Sequence, residues 1–171
     1  MKKVFSTKRL CRAGVVAALY VVLTYAFSAF AFGPFQVRPA EALCILPLFF
    51  PETIPALTVG CLLSNILSQY SVYDMIFGSL ATLIAALGTY FIGKTFTNHA
   101  WKILFGGAFP VLVNALLIPL IILFLAGEGG ATLWVYLSMV AIFLFTQTVW
   151  VYGLGTPLYF VILRIQKKIH L

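Results

Sequence analysis

Four carboxylates, Glu41, Glu52, Asp74 and Glu128, are all the acidic chemistry in this chain of 171 residues. Charge is costly at membrane depth, so an acid inside an apolar run points to an interior cavity or a partner. Arg38 precedes Glu41 by one helical turn, at i, i+3. Asn65 and Gln69 share a helical face at i, i+4, and Asp74 follows closely. Asn114 and Gln147 lie within later apolar runs, and Trp134 and Tyr136 open the last of them. Donors, acceptors and rings in this number suit the holding of a small polar molecule. Chemistry on bonds needs more: paired carboxylates, clustered histidines or a nucleophile beside its base, none of which the sequence offers. The same residues have a plainer reading. Arg38 and Glu41 would form a structural ion pair, Asp74 would cap a helix, and the amides would hold helices together. Tyr70, Tyr73 and Trp134 would then be aromatic anchors at the membrane surface.

Two other patterns carry no chemistry. Gly88-Thr-Tyr-Phe-Ile-Gly93-Lys94-Thr95 fits the phosphate-loop formula G-x-x-x-x-G-K-[ST]. That formula works where a strand delivers a flexible loop to a helix N-terminus. Here the match closes an apolar helix, whose carbonyl end has the wrong dipole sign for phosphate. Cys11, Cys44 and Cys61 are scattered through apolar segments, and with His99 and His170 they fit neither a disulfide framework nor a metal site. No cofactor is expected.

These residues must be positioned by helices in lipid. The chain is 63% hydrophobic and 9% charged, where a soluble domain carries roughly 25% charged residues. A bilayer core needs about 20 apolar residues per crossing, which leaves no room for a separate soluble domain. Helices are expected at 10–32, 39–50, 53–69, 73–93, 103–126 and 132–163, the last broken near Pro157, in one transmembrane domain over 1–171. Residues 39–69 are too long for one crossing, about 46 Å as a straight helix. Pro47, Pro51 and Pro55 punctuate them, and Phe50-Pro51-Glu52-Thr53 reads as a stop followed by a start.

Charge placement selects between one helix and two. With two, Lys2, Lys3, Lys8, Arg9, Arg12, Lys94, Lys102, Arg164, Lys167 and Lys168 all fall on one side, and Arg38 alone on the other. With one, the later loops flip and the bias vanishes. The positive-inside rule therefore predicts six helices, a short second one, and both termini in the cytoplasm. The outer loops are then 33–38, 70–72 and 127–131, and the polar residues gather toward the outer half. The net charge of +7 sits at the ends of apolar runs, which argues for lipid anchoring and against nucleic acid. Lys2 to Arg12 followed by Ala29-Phe30-Ala31 has the outline of a signal peptide. The apolar run between them is longer than such peptides use, so a retained first helix is expected. Small residues at Ala13 and Ala17, Gly14 and Ala18, and Ala81 and Ala85 permit close helix approach.

Four stretches carry a resemblance: Phe35-Gln-Val-Arg-Pro-Ala-Glu-Ala-Leu43, Leu46-Pro-Leu-Phe-Phe-Pro-Glu52, Gly60-Cys-Leu-Leu-Ser-Asn65 and Tyr73-Asp-Met-Ile-Phe-Gly-Ser-Leu-Ala-Thr82. They resemble the QueT-type queuosine-precursor transporters, and the likeness extends over essentially the whole chain. The resemblance implies an S component of an energy-coupling factor importer in the cell membrane. Such a subunit binds a trace nutrient from outside and joins a transmembrane coupling subunit and two ATPases. It further implies that Ala13 and Ala17 touch the coupling subunit and that the ligand is a 7-deazaguanine. Glu41 is then the first choice for the donor edge of the base. Asp74 is placed to meet an aminomethyl cation, and Arg38, Asn65, Gln69, Trp134 and Gln147 are supporting residues. The alternatives are an S component for another vitamin-like nutrient and a self-sufficient secondary transporter.

Overall fold

The computed structural model describes residues 6–32, 37–68, 71–125 and 132–169, without the side chains of 67, 71, 125 and 169. Regular structure among the described residues is entirely helical. Its elements are α1 (Thr7–Ala26), the single turn α2 (Ser28–Ala31), a 3-10 segment (Pro39–Leu48) and α3 (Thr53–Ser64). They continue with α4 (Ser71–Tyr73), which runs through a π turn (Asp74–Gly78) into α5 (Ser79–Thr95). Then come α6 (His99–Leu120), extended by a second π turn (Ile121–Leu125), α7 (Leu133–Gly153) and α8 (Gly155–Ile169). Four stretches are long and apolar enough to cross a membrane: Thr7–Ala26, Asp74–Thr95, His99–Phe124 and Leu133–Lys168. Pro39–Leu48 and Thr53–Ser64 are shorter apolar helices.

The 3-10 segment is the centre of the bundle. Pro39 sits at its first position, where a missing N–H costs nothing, and Pro47 lies inside it. Runs of 3-10 helix rarely exceed four residues; this one has ten, and every side chain from Pro39 to Pro47 is buried. It packs against α1, α3, α5, α6, α7 and α8. Apart from Glu41 the segment is apolar on every side, and a helix of that pattern is enclosed on every side. The sequence led us to expect an α-helix over 39–50. The tighter winding stretches ten residues to about 20 Å in place of about 15 Å.

Helix α3 runs beside α1 in the same direction. Arg12 Nη1 meets Glu52 Oε1 at 2.6 Å near the start of both. A Cβ on Gly60 would lie 2.9 Å from Tyr20 Cβ and 3.2 Å from the Ala17 carbonyl. Further on, the Tyr25 hydroxyl donates to the Leu63 carbonyl at 3.0 Å. Between two parallel helices the chain must return over their length, and residues 37–52 make that return. Helix α5 runs antiparallel to α3, with Gly78 against Asn65 at one end and Gly93 against Leu48 at the other. Helices α6 and α7 are antiparallel, since Tyr136 bonds the Leu116 carbonyl and Tyr152 the Leu104 carbonyl.

Several boundaries move from the sequence expectation for identifiable reasons. The last long helix breaks at Leu154, three residues before Pro157, because Pro157 has no N–H for the Gly153 carbonyl and its ring would strike it. The third expected helix ends at Ser64, not residue 69, and closes in a 3-10 turn over Asn65–Leu67. The fifth starts earlier, at His99, where the Asn98 side chain accepts from Ala100 N–H as an N-cap. The expected outer loop 127–131 and most of 33–38 lie outside the described residues, as does His170.

The bundle has two unlike ends. At one, Arg12 stacks over Phe50, Phe49 packs on Tyr159, and Tyr159 hydroxyl meets His99 Nδ1 at 2.7 Å. Lys102 and Lys167 line a cavity of about 320 Å³ there, and Arg9 and Glu52 line another of about 310 Å³. The opposite end holds Arg38, Asn65 and Asp74.

Candidate binding site

Six buried polar side chains from five elements converge toward the Arg38 end. Tyr20 faces inward because Val16, Tyr20 and Thr24 recur at i, i+4, i+8 on the buried side of α1. Arg38 and Glu41 open the 3-10 segment, Asn65 closes α3, Asp74 begins the π turn, and Asn114 comes from α6. All six are at most 4% exposed.

Glu41 is the hub. Its Oε1 accepts from Tyr20 hydroxyl at 2.8 Å; its Oε2 accepts from Asn114 Nδ2 at 3.1 Å and Cys44 Sγ at 3.3 Å. The Arg38–Glu41 ion pair of the plainer reading is not made; Arg12–Glu52 is the ion pair among the described residues. Arg38 instead donates from Nε to the Ala31 carbonyl at 3.0 Å and lies over the Phe32 ring at 5.3 Å. Its guanidinium stays within electrostatic reach of both Glu41 and Asp74.

Asn65 and Asp74 form the other half. Asn65 Nδ2 donates to the Asp74 backbone carbonyl at 2.7 Å, a bond that fixes which amide atom is nitrogen. Asp74 Oδ2 accepts from the Ser68 hydroxyl, so Asp74 stands in the fourth position of a continuous helix and is not a cap. Gly78 is required beside this pair, because a Cβ there would sit 2.8 Å from Asn65 Nδ2. π turns inside helices recur at functional sites, and this one aims Asp74 inward.

Among the described residues, three buried polar atoms lack a hydrogen-bond partner: Arg38 Nη2, Asn65 Oδ1 and Gln147 Oε1. Buried groups of this kind are rare and each calls for a physical reason. Arg38 and Asn65 belong to the converging set. Gln147 is buried on α7, and its Oε1 makes no hydrogen bond to that set. The α6–α7 register set by Tyr136–Leu116 and Tyr152–Leu104 places it nearer the Arg12 end. Trp134 is 81% exposed at the start of α7 and is not brought to the cluster. Gln69 lies outside the described residues.

Sequence reasoning does not single out Tyr20, and it notes Asn114 without placing it among the candidate binding residues. A tyrosine in mid-helix, two turns from any charge, was the available signal for Tyr20; tyrosines that serve as anchors sit at the ends of a span. The Gly88–Thr95 match lies inside α5, its amides held in helical bonds, with Lys94 over the Tyr90 ring at 4.6 Å. Ala13 and Ala17 are half-buried and packed on the core beside α3, while Gly14 and Ala18 face outward.

The arrangement can bind and orient a small polar molecule. It offers a donor at Arg38, an acceptor at Asn65 and two carboxylates. A curated relative, "Queuosine precursor transporter QueT" of Lactococcus lactis subsp. cremoris (strain MG1363), is 38% identical over 91 residues, covering 52% of this chain and 53% of the relative. The chain thus spans about half the length of the curated relative it matches. No solved structure matches it. The QueT transporter family model matches residues 10–164. With nearly its whole length matched, this multi-pass membrane protein belongs to the QueT transporter family.

Proposed function

We propose that the chain is the substrate-binding S component of an energy-coupling factor importer, and that it captures a 7-deazaguanine queuosine precursor from outside the cell. The observation that carries this reading is the buried, incompletely partnered set of Arg38, Asn65 and Asp74 in a member of this family. A 7-deazaguanine presents a carbonyl acceptor beside ring N–H and amino donors. Arg38 Nη2 suits the carbonyl and Asn65 Oδ1 suits an N–H. Glu41 already accepts three hydrogen bonds, so its part is to hold Tyr20, Asn114 and the 3-10 segment in place.

Six crossings with both termini in the cytoplasm accord with the parallel pairing of α1 and α3, which requires the intervening segment to traverse the bundle. The gathering of Arg9, Arg12, Lys102 and Lys167 around one end accords with that end being cytoplasmic. Energy then comes from partner ATPases through a transmembrane coupling subunit, with Ala13 and Ala17 at the contact. Ala17→Trp is expected to abolish co-purification with the coupling subunit. Because Ala17 also backs on Gly60, ligand binding by the isolated variant must be measured beside assembly. Loss of both together assigns the pair to internal packing.

A second reading has one observation in its favour: Glu41 is a buried carboxylate hydrogen-bonded to a tyrosine, a group that a proton-coupled secondary transporter employs. Liposomes separate the two. The purified chain alone is expected to bind a deazaguanine without concentrating it, and accumulation driven by a proton gradient would establish the secondary transporter.

A further inference from the structure

The two cavities at the Arg12 end differ in charge. The one of about 310 Å³ has Arg9 and Glu52 in its wall, so it carries an anion of its own. In the other, of about 320 Å³, Lys102 and His99 of α6 and Gln166 and Lys167 of α8 face apolar Phe49 and Leu163. No carboxylate lines it, and among the described residues neither lysine has an acid within 4 Å. The Tyr159 hydroxyl and His99 Nδ1 meet at 2.7 Å and tie α6 to α8 in the wall. Two lysines in one wall repel each other, and an anion between them removes that cost.

Depth says which anion. The stretch His99–Phe124 has 26 residues, about 39 Å as a helix against a core of about 30 Å, so its ends reach the headgroup layer. Trp101, beside Lys102, is 46% exposed, as suits a ring at the membrane surface. Leu133–Lys168 is longer still and carries Lys167 past the core. The cavity therefore lies at the level of lipid phosphates. Further along α6, Leu104 and Phe105 are exposed and offer acyl chains an apolar track. We propose that this cavity binds the phosphate of an anionic phospholipid, with Lys102 and Lys167 on its oxygens and the chains along α6. A zwitterionic lipid has the same phosphate but brings an ammonium toward the lysines, so the site selects by net headgroup charge. Inorganic phosphate shares the chemistry and lacks the chains.

The test uses the full chain, purified in detergent. Short-chain phosphatidylglycerol, phosphatidylcholine with the same chains, and inorganic phosphate are titrated against melting temperature, and native mass spectrometry counts the lipid retained. Phosphatidylglycerol should raise the melting temperature and be retained one to one, with phosphatidylcholine and inorganic phosphate much weaker. Lys102→Gln with Lys167→Gln should weaken phosphatidylglycerol about tenfold to thirtyfold, the effect of two lysines beside an anionic lipid. Lys167→Gln alone, at an exposed position, should give part of that loss. Lys94→Gln removes a cation outside the cavity wall and should change nothing. Equal stabilisation by phosphatidylcholine, or none by phosphatidylglycerol, overturns the proposal without need of a variant. Equal stabilisation by inorganic phosphate makes this a soluble-anion site and overturns the lipid assignment. An equal loss in Lys94→Gln reveals diffuse attraction and overturns the site. Unchanged phosphatidylglycerol affinity in the double variant overturns it as well, and if co-purification with a coupling subunit is then lost, the lysines belong to a protein contact.

Discussion

Arg12 and Arg38 sit toward opposite ends of one bundle, each near a glutamate in sequence or space, and the fold treats them differently. Arg12 meets Glu52 directly at 2.6 Å, with a third of its side chain exposed and the Phe50 ring 4.0 Å from its guanidinium carbon. Arg38 is buried, holds a backbone carbonyl, and leaves Glu41 to neutral donors. At the Arg12 end a direct contact pairs the two charges and fastens α1 to the start of α3. At the Arg38 end that remedy does not operate. Unlike charges kept apart at depth cost stability, and the cost is intelligible where a ligand completes the set.

The comparison breaks most decisively at Glu41. Glu41→Ala strips Tyr20 and Asn114 of their acceptor, and each buried donor left unsatisfied costs about 1–3 kcal/mol. Thermal unfolding in detergent should show failure to fold or a steep fall in melting temperature. A mild effect would mean that Glu41 is not the hub. Arg38→Lys comes next. Lysine cannot bond the Ala31 carbonyl and present a second donor in a fixed fork. Deazaguanine affinity should fall about tenfold or more, with the melting point lowered less than in Glu41→Ala. Arg12→Ala should be the smallest, about 1 kcal/mol, because the pair is only part-buried and solvent still screens it. Its ligand affinity should match the unmutated protein, and a large loss there would erase the contrast between the two ends.

Arg38, Glu41, Asn65 and Asp74 were legible in the sequence because polar groups in apolar runs are conspicuous, and their convergence followed from the charge-derived topology. Trp134 stands apart from the buried cluster: its position beside a loop fits a stacking ring and a lipid anchor equally, and it is exposed at the start of α7. The winding of Pro39–Leu48 was hidden because prolines at both ends are compatible with α and 3-10 geometry alike; enclosure by six helices decides it. The break at Leu154 shows the same limit. Pro157 announces an interruption, but its missing bond belongs to a residue earlier in the chain.

The enclosed 3-10 segment has a consequence for how the protein is made. Synthesis runs from the N-terminus, and five of the six helices that surround Pro39–Leu48, α3 and α5 to α8, follow it in the chain. Glu41 has Tyr20 and Cys44 at hand early, but Asn114 arrives 73 residues later. The nascent chain must therefore shelter a charged, unfinished centre in the insertion machinery until α6 and α7 close over it.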